Sequence, residues 1–208
     1  MTEAGIRLYP DLQNVSRETK LQLDSLVDLL EKWNSTINLV SKSSIRQVWQ
    51  RHILDSMQVF NHGSTASIWA DLGSGGGFPG LVVAILAKEK APDMQVLLVE
   101  SDQRKATFLR EASRTLGLST EIIPNRIEAI APLLADVVSA RALAPLSQLC
   151  FFATHHLKAG GRGVFLKGRS AAIEVAAAQK DWRFTLESYV SITDPDSSVL
   201  VLQGIAHV

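Results

Sequence analysis

The sequence predicts an α/β fold: a doubly wound, mostly parallel sheet with helices on both faces, a helical N-terminal cap and a C-terminal antiparallel hairpin. Three observations carry this. Val96-Leu97-Leu98-Val99 is a continuous apolar run, the pattern of a parallel strand covered on both faces. From Ser67 onward such strands alternate with helical patterns, which implies right-handed βαβ crossovers. A glycine-rich turn, Asp71-Leu72-Gly73-Ser74-Gly75-Gly76-Gly77-Phe78, joins a strand to a helix.

The elements follow in order. Residues from about 16 to 62 form a helical pattern, with Leu23, Leu26, Val27, Leu30, Trp33 and Ile37 on one face. Ser16 is the expected N-cap and Asn34-Ser35-Thr36 the expected break. A second helix is expected from Ile45 to Phe60, and Gly63-Ser64-Thr65 links it to the next region. Ile68-Trp69-Ala70 is a buried strand, followed by the glycine turn and an apolar helix from Leu81 to Ala87. After Val96–Val99 comes a helix from Gln103 to Leu116, stopped by Gly117 at its C′ position. Strands at Thr120–Ile123 and Asp136–Ser139 precede a helix from Pro145 to Leu157 and a strand Gly163–Lys167. Phe184–Ser191 and Ser197–Gln203, joined by Thr193-Asp194-Pro195-Asp196, form the hairpin. One domain is expected over 1–208, with 1–65 as cap and 66–208 as the ligand-binding core.

Composition narrows the class. Of 208 residues, 46% are hydrophobic and 20% charged, as in an ordinary globular protein. No stretch of about 18 apolar residues is present, so no membrane partner is expected. Met1-Thr2-Glu3-Ala4-Gly5 has no basic or apolar leader character, and the single Cys150 cannot form an internal disulfide. These features suit the cytoplasm, where the sequons Asn14-Val15-Ser16 and Asn34-Ser35-Thr36 carry no meaning. Lys and Arg number 21, as do Asp and Glu, so the net charge is zero. That argues against capture of free nucleic acid by bulk charge, but not against a local basic patch or a preformed ribonucleoprotein target.

The turn points to a cofactor. Gly75-x-Gly77-x-x-Gly80 matches a dinucleotide fingerprint, and Glu100 ends the next strand at the distance of a ribose-binding acid. An NAD-dependent oxidoreductase must therefore be weighed. Asp71 argues by sign: at the mouth of the loop its carboxylate would repel a pyrophosphate, by about 4 kcal/mol at 4 Å and an effective dielectric of 20. S-adenosylmethionine carries an ammonium, a sulfonium and no phosphate, so the same acid would attract it. Asp102 follows Glu100 closely and is better explained as a helix N-cap.

The residues also resemble a known family, the small-subunit ribosomal RNA guanine-N7 methyltransferases, also called GidB or RsmG proteins. The motifs are Asn38-Leu39-Val40-Ser41, Arg51-His52-Ile53-Leu54-Asp55-Ser56, the loop extended by Phe78-Pro79-Gly80, Arg126-Ile127-Glu128, Ser139-Ala140-Arg141-Ala142 and Lys167-Gly168. The resemblance covers nearly the whole chain. It implies a Rossmann-like, seven-stranded class I methyltransferase sheet, S-adenosylmethionine as cofactor, and transfer to N7 of a guanine in 16S rRNA. The zero net charge favours a target within the small ribosomal subunit or an assembly intermediate, and the enzyme is expected to act as a monomer. Carried over, Gly73 and Phe78 contact the cofactor from the loop; Asp71, Ser74, Gly75, Gly77, Glu100 and Ser101 are the further residues expected to bind it. Ile127 and Glu128 lie near its adenine, and Arg141 beside the site. The family often has Asp-Ser followed by Lys-Arg where this chain has Glu100-Ser101 and Arg104-Lys105.

The chemistry asks little of acid–base groups. Guanine N7 is an unprotonated acceptor, so no general base is needed. The chain shows no HExxH, CxxC or Gly-x-Ser-x-Gly pattern, and no metal is expected. Arg141 and Lys167, at the carboxyl ends of the fourth and fifth strands, are the expected substrate-positioning residues. Arg141 could donate to guanine O6 or an RNA phosphate, or instead form a salt bridge to Asp71 or Glu128. Lys167 would suit a phosphate. His52 and Asp55 share a helical face and, with Ser56, Pro79, Arg104 and Lys105, are the expected substrate side. Arg46, Arg51, Arg110, Arg114, Lys158, Arg162 and Arg169 complete the basic clusters that could meet RNA. His62, His155, His156 and His207 are expected at the surface or helix ends; Trp33, Trp49 and Trp69 in the core. A non-catalytic ribosome-assembly module is the remaining alternative.

Overall fold

The computed structural model describes residues 15–208. Met1 to Gly5 and Asn14, the first residue of one sequon, lie outside them. Helix α1 spans Arg17–Asn34. Ser16 caps it by accepting from the Thr19 N–H at 3.1 Å. Its buried face is Leu23, Leu26, Val27 and Leu30, as the periodicity requires. The helix stops where the break is expected. There Asn34 Oδ1 accepts from the Leu39 and Val40 N–H groups, at 2.9 and 3.0 Å, and folds the chain back.

The second cap helix differs from expectation. Instead of one helix from Ile45, a single turn, α2 (Lys42–Ile45), precedes a π-helical stretch Trp49–Leu54 that runs into α3 (Asp55–Phe60). A π turn inserts a residue into the helical repeat and so re-aims the side chains around it. His52, Ile53 and Leu54 all end up buried.

The core has strands β1 (Ile68–Leu72), β2 (Gln95–Val99), β3 (Thr120–Ile123), β4 (Ala135–Arg141), β5 (Leu157–Lys167), β6 (Trp182–Val190) and β7 (Ser198–His207). Their order across the sheet is β3-β2-β1-β4-β5-β7-β6. The first five strands pair in parallel, and β7 pairs antiparallel with both β5 and β6. Strand order therefore reverses between β1 and β4, and their carboxyl ends flank a crevice where ligands bind in such sheets.

Helices α4 (Gly80–Lys90) and α5 (Gln103–Leu116) cover one face; α6 (Leu146–His156) and α7 (Ala171–Ala178) cover the other. Every residue of α4 from Gly80 to Ala87 is buried. A helix apolar all round needs cover on two sides. The sheet supplies one side, and the cap supplies the other within the same apolar cluster. Helix α5 is amphipathic, capped by Asp102 and ended by Gly117 in the left-handed conformation, as expected. Trp69 is fully buried, while Trp33 and Trp49 pack against the same core.

Two further differences are local. Strand β5 begins at Leu157, six residues earlier than predicted, because a register shift opposite Ala135 and Val137 lets the glycine-rich start stay in the sheet. Helix α7 has no apolar periodicity to announce it; its only fully sequestered residue is Ala178. Alanine propensity and the Glu174–Lys167 pair hold it instead.

Candidate active site

A cleft of about 730 Å³ opens at the carboxyl ends of β1, β2, β3 and β4, and the cap bounds its other side. The glycine turn forms its floor. Gly73 has φ +66°, a strained conformation for any side chain, and a Cβ there would lie 2.5 Å from Leu143 Cδ1, so Leu143 would have to move. Ser74 turns inward, its Oγ donating to the Asp71 carbonyl at 3.0 Å. Gly75 and Phe78 line the cleft, whereas Gly77 and Pro79 are buried.

Asp71 corrects the expectation. It is fully buried beneath the loop, not at its mouth. The register sets Asp71 opposite Ser139 on β4, and Oδ1 accepts from Ser139 Oγ at 2.7 Å. Oδ2 accepts from the Gly80 N–H at 3.2 Å, at the start of α4. Burial pushes its carboxyl up to about 6, partly offset by the Ser139 and Gly80 hydrogen bonds. Asp71 thus shapes the turn from below rather than standing at its mouth.

Glu100 lines the cleft itself. Its Oε2 accepts from the Gly75 N–H at 2.9 Å and its Oε1 from the Asp102 N–H at 2.7 Å. The longer side chain thereby folds back and ties the loop to the start of α5. A carboxylate offers about four acceptor positions, so lone pairs remain for a ligand's hydroxyls. Ser101 and Lys105 also line the cleft. Arg104 does not; it faces solvent beside Asp102, 3.4 Å away.

The far wall is the short turn Ile127–Ala129. Ile127 is buried and Glu128 exposed, and both line the cleft. His156 Nε2 lies 3.1 Å from the Ile127 carbonyl, and His155 Nε2 3.1 Å from that of Ile130. His156 is at a helix end as expected, but it is fully buried. Because β5 follows α6 without a loop, the last helical residue is carried into the interior.

The cap closes on the loop through Arg141. Its Nη2 lies 2.6 Å from His52 Nδ1, its Nη1 donates to the Arg51 carbonyl at 2.8 Å, and Nη1 stands 3.5 Å from Asp55 Oδ2. A guanidinium has donors only, so Nδ1 accepts and the His52 hydrogen sits on Nε2. The His52 ring stacks on Phe78 with centroids 4.9 Å apart, and Arg141 Cζ lies 5.1 Å from the same ring centroid. Burial, then the Arg141 and Arg51 charges, drive the His52 imidazole down to about 3. Asp55 Oδ1 accepts from Gln58 Nε2 and from the Ser191 and Thr193 hydroxyls, which ties the cap to the hairpin. The partner of Arg141 is therefore Asp55, on the cap, and neither Asp71 nor Glu128.

Some expected residues lie elsewhere. Ser56 is fully buried, its hydroxyl without a partner, and does not face the cleft. Lys167 is outside the cleft in an adjoining cavity; its Nζ donates to the Ala144 carbonyl at 2.6 Å and to Glu174 Oε2 at 2.7 Å. It is not a free cation for phosphate. Arg114, Lys158 and Arg169 are likewise paired, with Glu111, Asp136 and Asp196. Lys158 and Arg162 also sit on the first half of β5, away from the cleft edge. The structure adds Arg126 and Gln148 to the cleft, together with Ala142, at φ +51°. A non-glycine residue at positive φ leaves no mark in the sequence, whereas Arg126 heads a motif that could have flagged it.

The family model for GidB, rRNA small subunit methyltransferase G, matches residues 19–199. The chain belongs to this family. A ribosomal RNA small subunit methyltransferase G of Ruegeria pomeroyi is 49% identical over 203 residues, covering 97% of this chain and all of the relative. One from Cereibacter sphaeroides is 50% identical over 196 residues, 94% and 95% of the two chains. Among solved structures, a putative O-methyltransferase from Klebsiella pneumoniae aligns with a TM-score of 0.59 at 14% identity, covering 88% and 89%. The O-methyltransferase TomG from Streptomyces achromogenes, in complex with SAM, aligns with a TM-score of 0.58 at 14% identity, also covering 88% and 89%. These two share the Rossmann-like methyltransferase fold with this member of the GidB family. Among the described residues, no helix is long and apolar enough to cross a membrane.

Proposed function

We propose that this chain transfers the methyl group of S-adenosylmethionine to N7 of one guanine in small-subunit (16S) rRNA. Methyl transfer to that RNA follows from the family. The observation that carries the site is the position of Glu100: a buried carboxylate with unused acceptors, locked against Gly75 at the carboxyl edge of the sheet. Ile127 and Phe152 give the same cleft an apolar lining that suits an adenine. The residues present thus fit a nucleoside whose ribose hydroxyls reach Glu100. The cofactor supplies an electrophilic methyl group on a positively charged sulfur. The protein supplies position.

Gly73 to Gly75 bring main chain against the ligand, Ser101 and Glu128 flank its nucleoside, and Phe78 closes the floor under Arg141. Arg141 stands where β4 meets the cleft and orients the acceptor; His52 and Asp55 hold Arg141. No residue needs to remove a proton, because N7 attacks with its lone pair. Holding N7 in line with the methyl group supplies several kcal/mol through orientation, on the order of the effective-molarity terms known for aligned reactants. Arg51, Lys105 and Arg126 at the rim would meet RNA phosphates. We further assign the chain to the cytoplasm, as a monomer acting on an assembled or partly assembled subunit.

The test is calorimetry with S-adenosylmethionine and with NAD, followed by methyl transfer to small subunits and to naked rRNA. Binding of S-adenosylmethionine alone and methylation at guanine N7 are expected. Binding of NAD instead, or no N7 product on either RNA, overturns the reading. Gly73→Asp should abolish cofactor binding while leaving the fold, because its side chain fills the floor and collides with Leu143; retained binding would place the cofactor elsewhere.

A further inference from the structure

A second cavity, of about 450 Å³, adjoins the cleft and shares Asp55, Arg141, Ala142, Leu143 and Ala144 with it. Its inner wall carries Lys167 and Glu174. Lys167 is deeply placed, with a side chain 9% exposed. An ammonium has three donors, and two are used, on the Ala144 carbonyl and Glu174 Oε2. Glu174 Oε2 also accepts from the Leu146 N–H at 3.0 Å, and Oε1 accepts from the Ser170 hydroxyl at 2.6 Å. Glu174 lines the cavity with its side chain about one-fifth exposed, and Oε1, with one acceptor position used, keeps capacity for another donor. The wall therefore presents one unused donor and one unused acceptor on a single ion pair, whose Nζ–Oε2 contact is 2.7 Å.

We propose that this cavity receives the target base and that Lys167 and Glu174 read its Watson–Crick edge as guanine. The inference rests on the methyl-transfer reading above and specifies its substrate side. Guanine presents O6, an acceptor, beside N1–H, a donor; adenine presents the reverse, an amino donor beside an N1 acceptor. Lys167 Nζ would donate to O6 and Glu174 would accept from N1–H. Adenine would set donor against donor and acceptor against acceptor, leaving buried groups unpaired, the arrangement that discriminates most strongly. Base and wall so paired, N7 lies on the edge next to O6, toward Arg141 and the main cleft. Adenine also has an N7, a weaker nucleophile than that of guanine, and the wall adds selection by hydrogen bonding to this intrinsic preference. The base must leave its stack to enter, as for other enzymes that act on bases. Ala142 at φ +51° turns the chain at the junction of the two cavities, a strained conformation of the kind that gathers at functional sites.

The simpler reading is that Glu174 and Lys167 only fasten α7 to β5 and α6. The test separates the two. Single-turnover methylation is measured on reconstituted subunits whose target position carries guanosine, inosine, 1-methylguanosine or adenosine. For the unmodified enzyme we expect guanosine and inosine to react alike, since both keep O6 and N1–H. 1-Methylguanosine and adenosine should react at least about tenfold more slowly. Glu174→Gln should shrink the guanosine-to-adenosine ratio by about tenfold or more, and Lys167→Met should slow guanosine with cofactor affinity unchanged. A purely structural pair would slow all templates together and leave the ratio fixed, which would overturn the proposal. If the variants fail to fold, the 1-methylguanosine result on the native enzyme still decides: an undiminished rate means the Watson–Crick edge does not face this wall. Loss of N7 methylation on every template with the native enzyme would instead be a failure of the function reading.

Discussion

At the residue scale, Asp71 shows how position changes the meaning of a charge. In the sequence it stands two residues before Gly73, where a carboxylate at the surface would sort cofactors by sign. The pleat turns it under α4 instead, where it organises Ser139 and the Gly80 N–H. Glu100, legible as a strand-end acid, is the carboxylate that lines the cleft itself. The buried carboxyl has a measurable signature. Its folded value, about 6, lies above the ordinary 3.8, so between these limits the native state holds a proton that the unfolded chain has lost. Stability from this group is therefore present below pH about 4, declines as pH rises, and is gone above about 6. Asp71→Asn removes the titration. Urea unfolding from pH 4 to 7 should show the variant gaining on the parent by on the order of 2 kcal/mol, whatever offset the lost hydrogen bond introduces. A pH-independent difference would mean that Asp71 is ionised normally in the fold.

At the element scale, most strands and helices of the core were legible because they are either apolar throughout or clearly amphipathic; α7, alanine-rich with one buried residue, and the glycine-rich start of β5 are neither. The cap was less so. Its π-helical stretch shifts the repeat at Trp49–Leu54, and no propensity marks such a turn. Yet this shift brings His52 onto Phe78 and under Arg141, which makes the cap part of the cleft wall. The Arg51–Ser56 motif pointed to the segment, but only the fold shows Arg141 as the clamp between β4 and the cap. The clamp requires neutral His52. Its folded value, about 3, lies below the ordinary 6.5, so the unfolded chain takes up a proton first as pH falls. The stability it contributes is complete above about 6.5 and is lost progressively toward 3. His52→Phe keeps the ring on Phe78 and cannot titrate. Between pH 7 and pH 4 the parent should lose roughly 3 kcal/mol more than the variant, read by chemical unfolding at each pH. Equal acid sensitivity would mean that His52 protonates freely and that the cap opens at the clamp.

At the scale of the whole molecule, zero net charge has to be reconciled with an RNA substrate. Pairing removes much of the apparent basic surface: Arg114, Lys158, Lys167 and Arg169 all have acidic partners, and Lys158 also lies on the wrong part of β5. The cations that line the cleft without an ion pair among the described residues are Arg51, Lys105 and Arg126. Three phosphate contacts imply a modest electrolyte dependence, a loss of roughly 20- to 40-fold in RNA affinity between 50 and 200 mM salt. That is too shallow for tight capture of a free strand by charge. Recognition must then come from shape, with the acceptor base presented to the paired cavities at the cleft, and an assembled particle holds shape better than naked rRNA does. Methylation should accordingly proceed faster on small subunits, with the advantage growing as salt is raised, because the electrostatic share fades while the fit remains. Rates on both substrates across a salt series measure this directly. A steep salt slope, or equal rates on naked rRNA at physiological salt, would mean that an extended basic surface governs binding.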